Sequence, residues 1–131
     1  MTRFLNKLFY SVTATDSQLD FYAVTSEHYS LYHDQDCCES VYIESISGDL
    51  TNLEGSPILR ADEKIHTSDT DDGSCTATFY TFATAKGYVD IRFNGESNGY
   101  YSESVNFHED SHQPPADILA IYNISHPEAF L

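Results

Sequence analysis

The sequence predicts a mainly β protein with a minor helical part: a single domain built on an antiparallel sheet with one or two short helices. The first indication is a series of short runs in which apolar and polar residues alternate, separated by turn-forming residues. The second is a hydrophobic content of 40% with ten Tyr and eight Phe, which favours a folded core over a disordered chain. The third is the length of 131 residues, which suits one domain. A rolled sheet, a partial barrel and a sandwich all remain open.

The N-terminal part contains four runs that predict strands. In the second run, Leu19, Phe21 and Ala23 fall on one face of an extended chain, as expected for a half-buried strand. The turn-forming segments TDSQ and SEH separate the first three runs, which are therefore predicted to form an antiparallel meander. The four predicted strands are residues 8–14, 19–25, 29–33 and 40–46.

The segment GDLTNLEGSP predicts a short helix. Asp49 can cap the helix, Gly55 can end it and Pro57 prevents its resumption. Residues 57–61 (PILRA) could add a strand. The next stretch, DEKIHTSDTDDGS, is polar and rich in turn formers, which predicts a loop over residues 62–74.

The strongest strand signals follow this predicted loop. Residues 75–84 (CTATFYTFAT) are largely β-branched and aromatic, which favours a central strand. Residues 88–94 (YVDIRFN) alternate between apolar and polar positions. The NGESNG segment contains two Asn-Gly pairs and predicts a hairpin that returns through residues 100–107.

The C-terminal segment is predicted to be separate from these strands but part of the same domain, residues 1–131. Residues 109–115 are predicted as a linker, because HEDSHQPP around them is polar and ends in two prolines. Residues 116–131 are predicted as a docking segment. Its first part, ADILAIYNI, is apolar enough to form a short helix or an edge strand.

Charge is the most unusual property of the chain. The 21 Asp and Glu outnumber the six Lys and Arg, giving a formal net charge of -15. The cations between residues 8 and 131 all lie within Arg60 to Arg92. A chain of this charge repels nucleic acid and anionic membranes, so direct binding to either is not expected, and a basic protein is the expected partner. No 18-residue apolar run exists, and the N-terminal MTRFLNKLFY lacks the features of a signal peptide.

The segment HDQDCCE, residues 33–39, contains the densest group of chemically active side chains. His33, Cys37 and Cys38 are the candidate metal ligands. Adjacent cysteines in an extended chain point to opposite faces, however, and no C-x-x-C spacing occurs, so no metal and no cofactor is predicted. The segment is predicted to be a structured strand end with exposed acids. Three cysteines, two of them adjacent, fit a reducing compartment better than a disulfide framework.

Catalysis finds little support in the sequence. Glu96 and Glu103 flank the predicted hairpin and could face each other, but such pairs arise by chance in an acidic chain. A dyad of His33 with Cys37 or Cys38 is conceivable, although neighbouring carboxylates raise the pKa of a thiol. Nucleophile-elbow, P-loop and dinucleotide-binding patterns are absent. The sequence therefore favours a protein that is not an enzyme, and no catalytic residue is predicted.

Tyrosines beside carboxylates predict a surface for an arginine-rich partner, since they offer stacking, cation–π contact and a hydroxyl. The predicted anchors are Tyr100 and Tyr101. The predicted acidic contacts are Asp34, Asp36, Glu39, Glu44, Glu96 and Glu103. Whether the protein forms a homodimer is left open.

Two stretches resemble a family of uncharacterised proteins encoded by tailed bacteriophages. They are YHDQDCCESVYIESISGDLTNLEGSPIL, residues 32–59, and TFYTFATAKGYVDIRFNGESNGYYSESVNF, residues 78–107. HDQDCCE and GESNGYYSE are the distinctive phrases. The resemblance implies a phage origin and a host-cytoplasmic setting, and it transfers no catalytic residue.

A phage origin suggests a class of function for the negative charge. Small acidic phage proteins are often counter-defence proteins that occupy the nucleic-acid groove of a host nuclease. The expected function is therefore a non-enzymatic, DNA-mimic-like inhibitor of a CRISPR (anti-CRISPR) or restriction effector complex. The alternatives are a small metal- or ligand-binding module using the three candidate ligands above, and a small hydrolase or modifying enzyme of phage origin.

Overall fold

The structure, a computed structural model, describes residues 1–122 and consists of two four-stranded antiparallel sheets. A single short α-helix and two 3-10 helices, Thr2–Phe4 and Leu50–Leu53, complete the described part of the chain. The elements are β1 (Phe9–Ala14), β2 (Leu19–Ala23), β3 (Glu27–Tyr32), β4 (Ser40–Ser47), β5 (Arg60–Thr70), β6 (Gly73–Thr84), β7 (Gly87–Ser97), β8 (Asn106–Ser111) and α1 (Ala116–Ile121).

The strand order is β1-β2-β3-β8 in the first sheet and β4-β7-β6-β5 in the second. The chain passes from the first sheet to the second between β3 and β4, and it returns between β7 and β8. The predicted fold class, mainly β and antiparallel with one short α-helix, is confirmed. Of the architectures left open by the sequence, the protein adopts two packed, open sheets.

One hydrophobic core joins the two sheets. The rings of Phe21 in β2 and Phe82 in β6 lie 5.1 Å apart between centroids, and Phe4 packs against both. All three side chains are buried. Burying an aromatic side chain of this size stabilises the fold by about 1.5–3 kcal/mol, so these contacts hold the sheets together.

The alternating strands are buried as the sequence predicted. Leu19, Phe21 and Ala23 of β2 are all buried on one face, with half-buried residues between them. In β7, Val89 and Ile91 are buried and alternate with exposed residues. The sequence prediction of a central strand over residues 75–84 is confirmed, since β6 lies between β7 and β5.

The short helix predicted after β4 is the 3-10 helix Leu50–Leu53. The Asp49 carboxylate caps it by accepting a hydrogen bond from the Thr51 amide at 3.0 Å. Beyond the helix, the Gly55 amide donates to the Phe9 carbonyl at 2.8 Å, and Glu54 accepts from the Val12 amide at 2.8 Å. The segment therefore covers the free edge of β1.

The prediction of a polar loop over residues 62–74 is wrong. Residues 60–70 form β5, which pairs along its whole length with β6 and turns at Asp71 and Asp72. Because β5 is an edge strand with both faces largely exposed, it has no apolar alternation for sequence patterning to detect. Its stability comes from the ladder with β6, which is not visible in the local sequence.

The predicted hairpin at NGESNG is also wrong. Asn94 and Gly95 lie inside the β7 ladder, opposite Tyr42 and Val41 of β4, and β7 continues to Ser97. Gly95 is needed because a Cβ atom there would lie 2.8 Å from the Glu103 carbonyl oxygen. The glycine therefore marks a close approach of backbones rather than a turn.

The end of the described chain combines a strand and a helix. Residues 109–111, predicted as part of a linker, instead belong to β8, which pairs with β3. The start of the predicted docking segment forms α1, and its remaining residues, 123–131, lie outside the described part. Within residues 1–122, no helix is long and apolar enough to cross a membrane.

Candidate functional site

Three connections, with the strand ends next to them, meet at one end of the second sheet, which we call the acidic end: residues 33–39, 69–73 and 96–105. The sheet register places them together, because Ser40, Glu96, Cys75 and Ser68 form one row across β4, β7, β6 and β5. The three connections extend beyond this row. With strands about 4.8 Å apart, the row is about 14 Å wide, which is the size of a small contact surface.

The acidic end presents carboxylates without cations beside them. Its exposed carboxylates are Asp34, Asp36, Asp69, Asp71, Asp72 and Glu96. None of these takes part in an ion pair formed within the described residues. The cations lie elsewhere: Lys7 pairs with Glu27, while Arg60 and Lys86 are near the other end of β6. The acidic end is therefore a region of concentrated negative potential.

Glu39, predicted as a partner contact, is instead buried at 4% exposure beneath residues 33–38. Its carboxylate accepts hydrogen bonds from His33 Nε2 at 2.7 Å and from the Asp36 and Cys37 amides at 2.9 Å each. The hydrogen bond from His33, followed by those from the backbone amides, lowers the pKa of Glu39 to about 2 against the cost of desolvation. The ionised Glu39 carboxylate therefore stabilises the folded loop and is not available to a partner.

Glu103 is the second predicted contact that is buried, at 7% exposure. Its carboxylate accepts hydrogen bonds from the hydroxyls of Ser74 at 2.5 Å, Thr76 at 2.8 Å and Ser97. Burial alone would raise the pKa of Glu103, but the three hydroxyl donors outweigh it and lower the pKa. Glu103 therefore fastens residues 98–105 to the ends of β6 and β7.

His33 connects the two fastened loops. Its Nδ1 atom lies 2.6 Å from the Ser104 carbonyl oxygen and its Nε2 atom 2.7 Å from the Glu39 carboxylate. The Asp34 amide adds a hydrogen bond to the Asn106 side chain at 2.9 Å. As a result, the exposed carboxylates of Asp34 and Asp36 are carried by a loop whose backbone is tied to Glu39 and Asn106.

The other predicted acids differ in their surroundings. Glu44 is exposed but lies on the outer face of the second sheet, where its carboxylate pairs with Arg92 Nε at 2.7 Å. Arg92 in turn lies over the Phe79 ring, 5.2 Å from its centroid. Glu44 is therefore not part of the acidic end. Glu96 is exposed and accepts a hydrogen bond from the Asn94 side chain at 3.2 Å.

The two predicted tyrosine anchors lie on the acidic end. Tyr100 is 88% exposed, and its ring centroid is 6.0 Å from that of the half-buried Tyr101. The turn that carries them is closed by the Asn98 side chain, which accepts from the Tyr100 amide at 3.0 Å. Two aromatic rings are thus presented on an ordered turn next to Glu96.

The candidate metal ligands do not form a metal site in this structure. Cys37 and Cys38 are exposed and joined in a vicinal disulfide. This corrects the expectation that their side chains point to opposite faces and stay reduced, because the segment turns here instead of running extended. Both ring nitrogens of His33 are engaged by oxygen acceptors. No group of three or more His, Cys, Asp or Glu side chains in residues 1–122 is arranged to hold a metal ion.

Sequence reasoning missed two groups of residues. Asp69, Asp71 and Asp72 belong to the acidic end, and the only signal for them was an acidic run with the spacing of a solvated turn. The other group is Asp20, His28 and Ser30 on the outer face of the first sheet.

The group of Asp20, His28 and Ser30 does not have the geometry of a catalytic triad. His28 Nε2 lies 2.9 Å from Asp20 Oδ1 and 3.2 Å from Ser30 Oγ, so one nitrogen faces both partners. A triad requires the carboxylate and the hydroxyl on different nitrogens. Ser30 instead donates directly to Asp20 at 2.7 Å, which satisfies a buried hydroxyl.

The fold and the acidic end define a small, mainly β protein that presents anionic loops at one end of two packed sheets. The chain belongs to the family described as "Domain of unknown function (DUF7448)", which matches residues 2–107. The matched region includes the whole acidic end. Comparisons with curated proteins and with solved structures gave no match.

Proposed function

We propose that the protein is a non-enzymatic, phage-encoded inhibitor whose acidic end docks on a basic, nucleic-acid-binding surface of a host defence complex. The observation that carries this proposal is the grouping of exposed, unpaired carboxylates on loops fastened by two buried carboxylates, Glu39 and Glu103. The partner is a CRISPR or restriction effector of the host, met in the host cytoplasm.

The spacing of the carboxylates supports a DNA-mimic mode of binding. Duplex DNA carries one negative charge per about 1.7 Å of its axis, and a groove that binds it has Lys and Arg spaced to match. Residues are spaced by about 3.3 Å along a strand and by about 4.8 Å between neighbouring strands, so strand ends carry carboxylates at a spacing of this order. An array of this kind attracts a cationic groove at long range and speeds association.

The rigidity of the loops at the acidic end supports the same proposal. A loop that is already fixed loses little conformational entropy when a partner binds, so more of the interaction energy is available as affinity. Tyr100 and Tyr101 add flat aromatic faces on which guanidinium groups can stack. Because the chain is strongly anionic, neither nucleic acid nor an anionic membrane is its direct ligand. No cofactor is assigned.

A capture experiment tests the proposal with two variants of equal charge. One variant carries Asp34→Asn, Asp36→Asn and Asp72→Asn at the acidic end. The control carries Asp16→Asn, Asp110→Asn and Asp117→Asn, all exposed positions outside it. Each tagged protein is incubated with bacterial lysate, and bound proteins are identified by mass spectrometry, with and without competing duplex DNA.

We expect the wild type and the control to retain nucleic-acid-binding proteins that duplex DNA displaces, and the acidic-end variant to lose them. Raising the salt concentration from about 0.05 M to about 0.5 M should release the same proteins, because screening weakens charge–charge attraction. Equal retention by both variants, or an absence of nucleic-acid-binding proteins from the wild-type capture, would refute the proposal.

A further inference from the structure

The four outer strands of the two sheets differ in how their edges are covered. Glu54 and Gly55 cover the edge of β1, as described above, and the Ile43 amide of β4 donates to the Asp16 carbonyl at 2.7 Å. In the part of the chain that the structure describes, β8 and β5 have no neighbour on their outer side. β8 has six residues, whereas β5 has eleven.

An exposed edge of eleven residues is unusual, because its free amides and carbonyls pair readily with another strand. We propose that β5 is the docking site for a second copy of this chain, which pairs with it through its own β5 in antiparallel orientation. The result is a twofold-symmetric dimer in which the two second sheets form one continuous sheet of eight strands.

The register of this pairing follows from the symmetry and the length of β5. A twofold axis perpendicular to the sheet leaves the inner face of each copy on the same side of the joined sheet. Each β5 residue must therefore pair with a residue of the second copy whose side chain lies on the same face. An axis at Ile65, the midpoint of Arg60–Thr70, places Arg60 opposite Thr70 of the second copy and pairs all eleven residues. Shifting the axis by one residue leaves two residues of each β5 unpaired and places Lys64 or His66 opposite its own equivalent. Shifting it by two, to Glu63 or Thr67, leaves four unpaired.

The side chains favour the register centred on Ile65. The Ile65 side chain is 61% exposed in one copy and lies opposite its own equivalent in the dimer, so apolar surface is buried there. Glu63 lies opposite Thr67, Asp62 opposite Ser68 and Asp69 opposite Ala61, so no carboxylate faces another. With the axis at Glu63, two carboxylates would face each other directly.

Charge indicates a second copy at β5 and not at β8. A chain of net charge -15 repels its own copies except where cations reduce the local potential. β5 contains Arg60 and Lys64 against three carboxylates, whereas β8 contains Glu109 and Asp110 with no Lys or Arg. A second anionic chain therefore meets less repulsion along β5.

Disulfide crosslinking tests the register. In antiparallel pairing, directly opposite residues have Cα atoms about 4.5–5.5 Å apart, which suits a disulfide. Ile65→Cys should therefore form a covalent dimer on mild oxidation. Glu63→Cys and Thr67→Cys should not crosslink alone, because four residues of offset separate equivalent positions by about 13 Å, but their mixture should. Oxidised wild-type protein measures any background from Cys37, Cys38 and Cys75.

Sedimentation measurements test the dimer without crosslinking. Ile65→Lys should weaken dimerisation at least about tenfold, because it removes the apolar contact and opposes two cations. Tyr88→Lys, an exposed apolar position outside β5, is the matched control and should leave the dimer unchanged. Circular dichroism establishes that both variants are folded, as expected for exposed positions.

The salt dependence distinguishes this inference from the proposed function. Added salt should strengthen the dimer by screening repulsion between two anionic chains, whereas it should release a basic partner from the acidic end. A wild-type protein that sediments as a monomer at all salt concentrations would overturn the inference. So would a dimer that Ile65→Lys leaves intact, or a lysate protein that crosslinks to Ile65→Cys in place of a second copy.

Discussion

His33 and Glu39 form a buried hydrogen bond, in which Nε2 of the imidazole donates to a carboxylate oxygen at 2.7 Å. The other ring nitrogen lies 2.6 Å from the Ser104 carbonyl, which also can only accept. The imidazole therefore lies between an oxygen atom of residues 33–39 and an oxygen atom of residues 98–105. One buried side chain thus joins the two loops through its two ring nitrogens.

Acid should loosen the loop around Glu39. The pKa of Glu39 is lowered from 4.5 to about 2 in the folded protein, chiefly by the hydrogen bond from His33. A lowered pKa contributes stability that is complete above the unfolded value and is lost as the pH falls through the folded value. We expect this contribution to disappear between about pH 4.5 and pH 2. Urea unfolding of wild type and Glu39→Gln across that range measures it, and parallel pH profiles would contradict the assignment.

Removal of the Glu103 carboxylate should destabilise the fold. Glu103→Ala leaves three hydroxyls of Ser74, Thr76 and Ser97 without their acceptor. Thr76 is buried and the two serines are half-buried. An unsatisfied buried donor costs about 1–3 kcal/mol, so the free energy of unfolding should fall by about that amount. Chemical denaturation measures it. Glu96→Ala, at an exposed position on the same end, is the control and should change stability by less than about 0.5 kcal/mol.

A side chain at Gly95 should displace the loop that carries Tyr100. A Cβ atom there would lie 2.8 Å from the Glu103 carbonyl oxygen and 2.9 Å from its Cβ. We expect Gly95→Ala to cost about 1–3 kcal/mol, as overpacking does, and to increase amide hydrogen exchange in residues 98–105. Unchanged exchange in that segment would show that the approach is less tight than described.

The contact between the two sheets should dominate global stability. Phe21→Ala removes a fully buried ring that touches Phe4, Phe9 and Phe82, and it should cost about 3–5 kcal/mol. Tyr88→Ala removes an exposed ring and should cost less than about 0.5 kcal/mol. Thermal unfolding followed by circular dichroism compares the two. A similar loss of unfolding free energy in both variants would show that the core between the sheets does not dominate stability.

The strands that could be predicted are those in which apolar and polar residues alternate because one face is buried. β2 and β7 alternate in the sequence because one face of each meets the other sheet. β5 could not be predicted, since its polar residues face solvent and its partner β6 supplies the stabilising hydrogen bonds. The Asn94-Gly95 pair predicts a turn but lies in a strand, because a glycine serves either a turn or a close contact, and only the position of Glu103 distinguishes the two.

The candidate site could be predicted in part for the same physical reason. The sequence indicated that residues 33–39 hold exposed acids, which is correct for Asp34 and Asp36. It could not distinguish them from Glu39, because burial of that carboxylate depends on a histidine six residues away folding back over it. Asp71 and Asp72 reach the acidic end because they follow β5. Since the sequence does not predict β5, it does not place these two residues in the site.

Both crossings of the chain from one sheet to the other lie in the connections at the acidic end, between β3 and β4 and between β7 and β8. A ligand bound at the acidic end would therefore contact both connections between the two sheets. A ligand that contacts both connections would bind the assembled sheets and not the separated ones, so it would stabilise the fold by an amount that rises with its concentration.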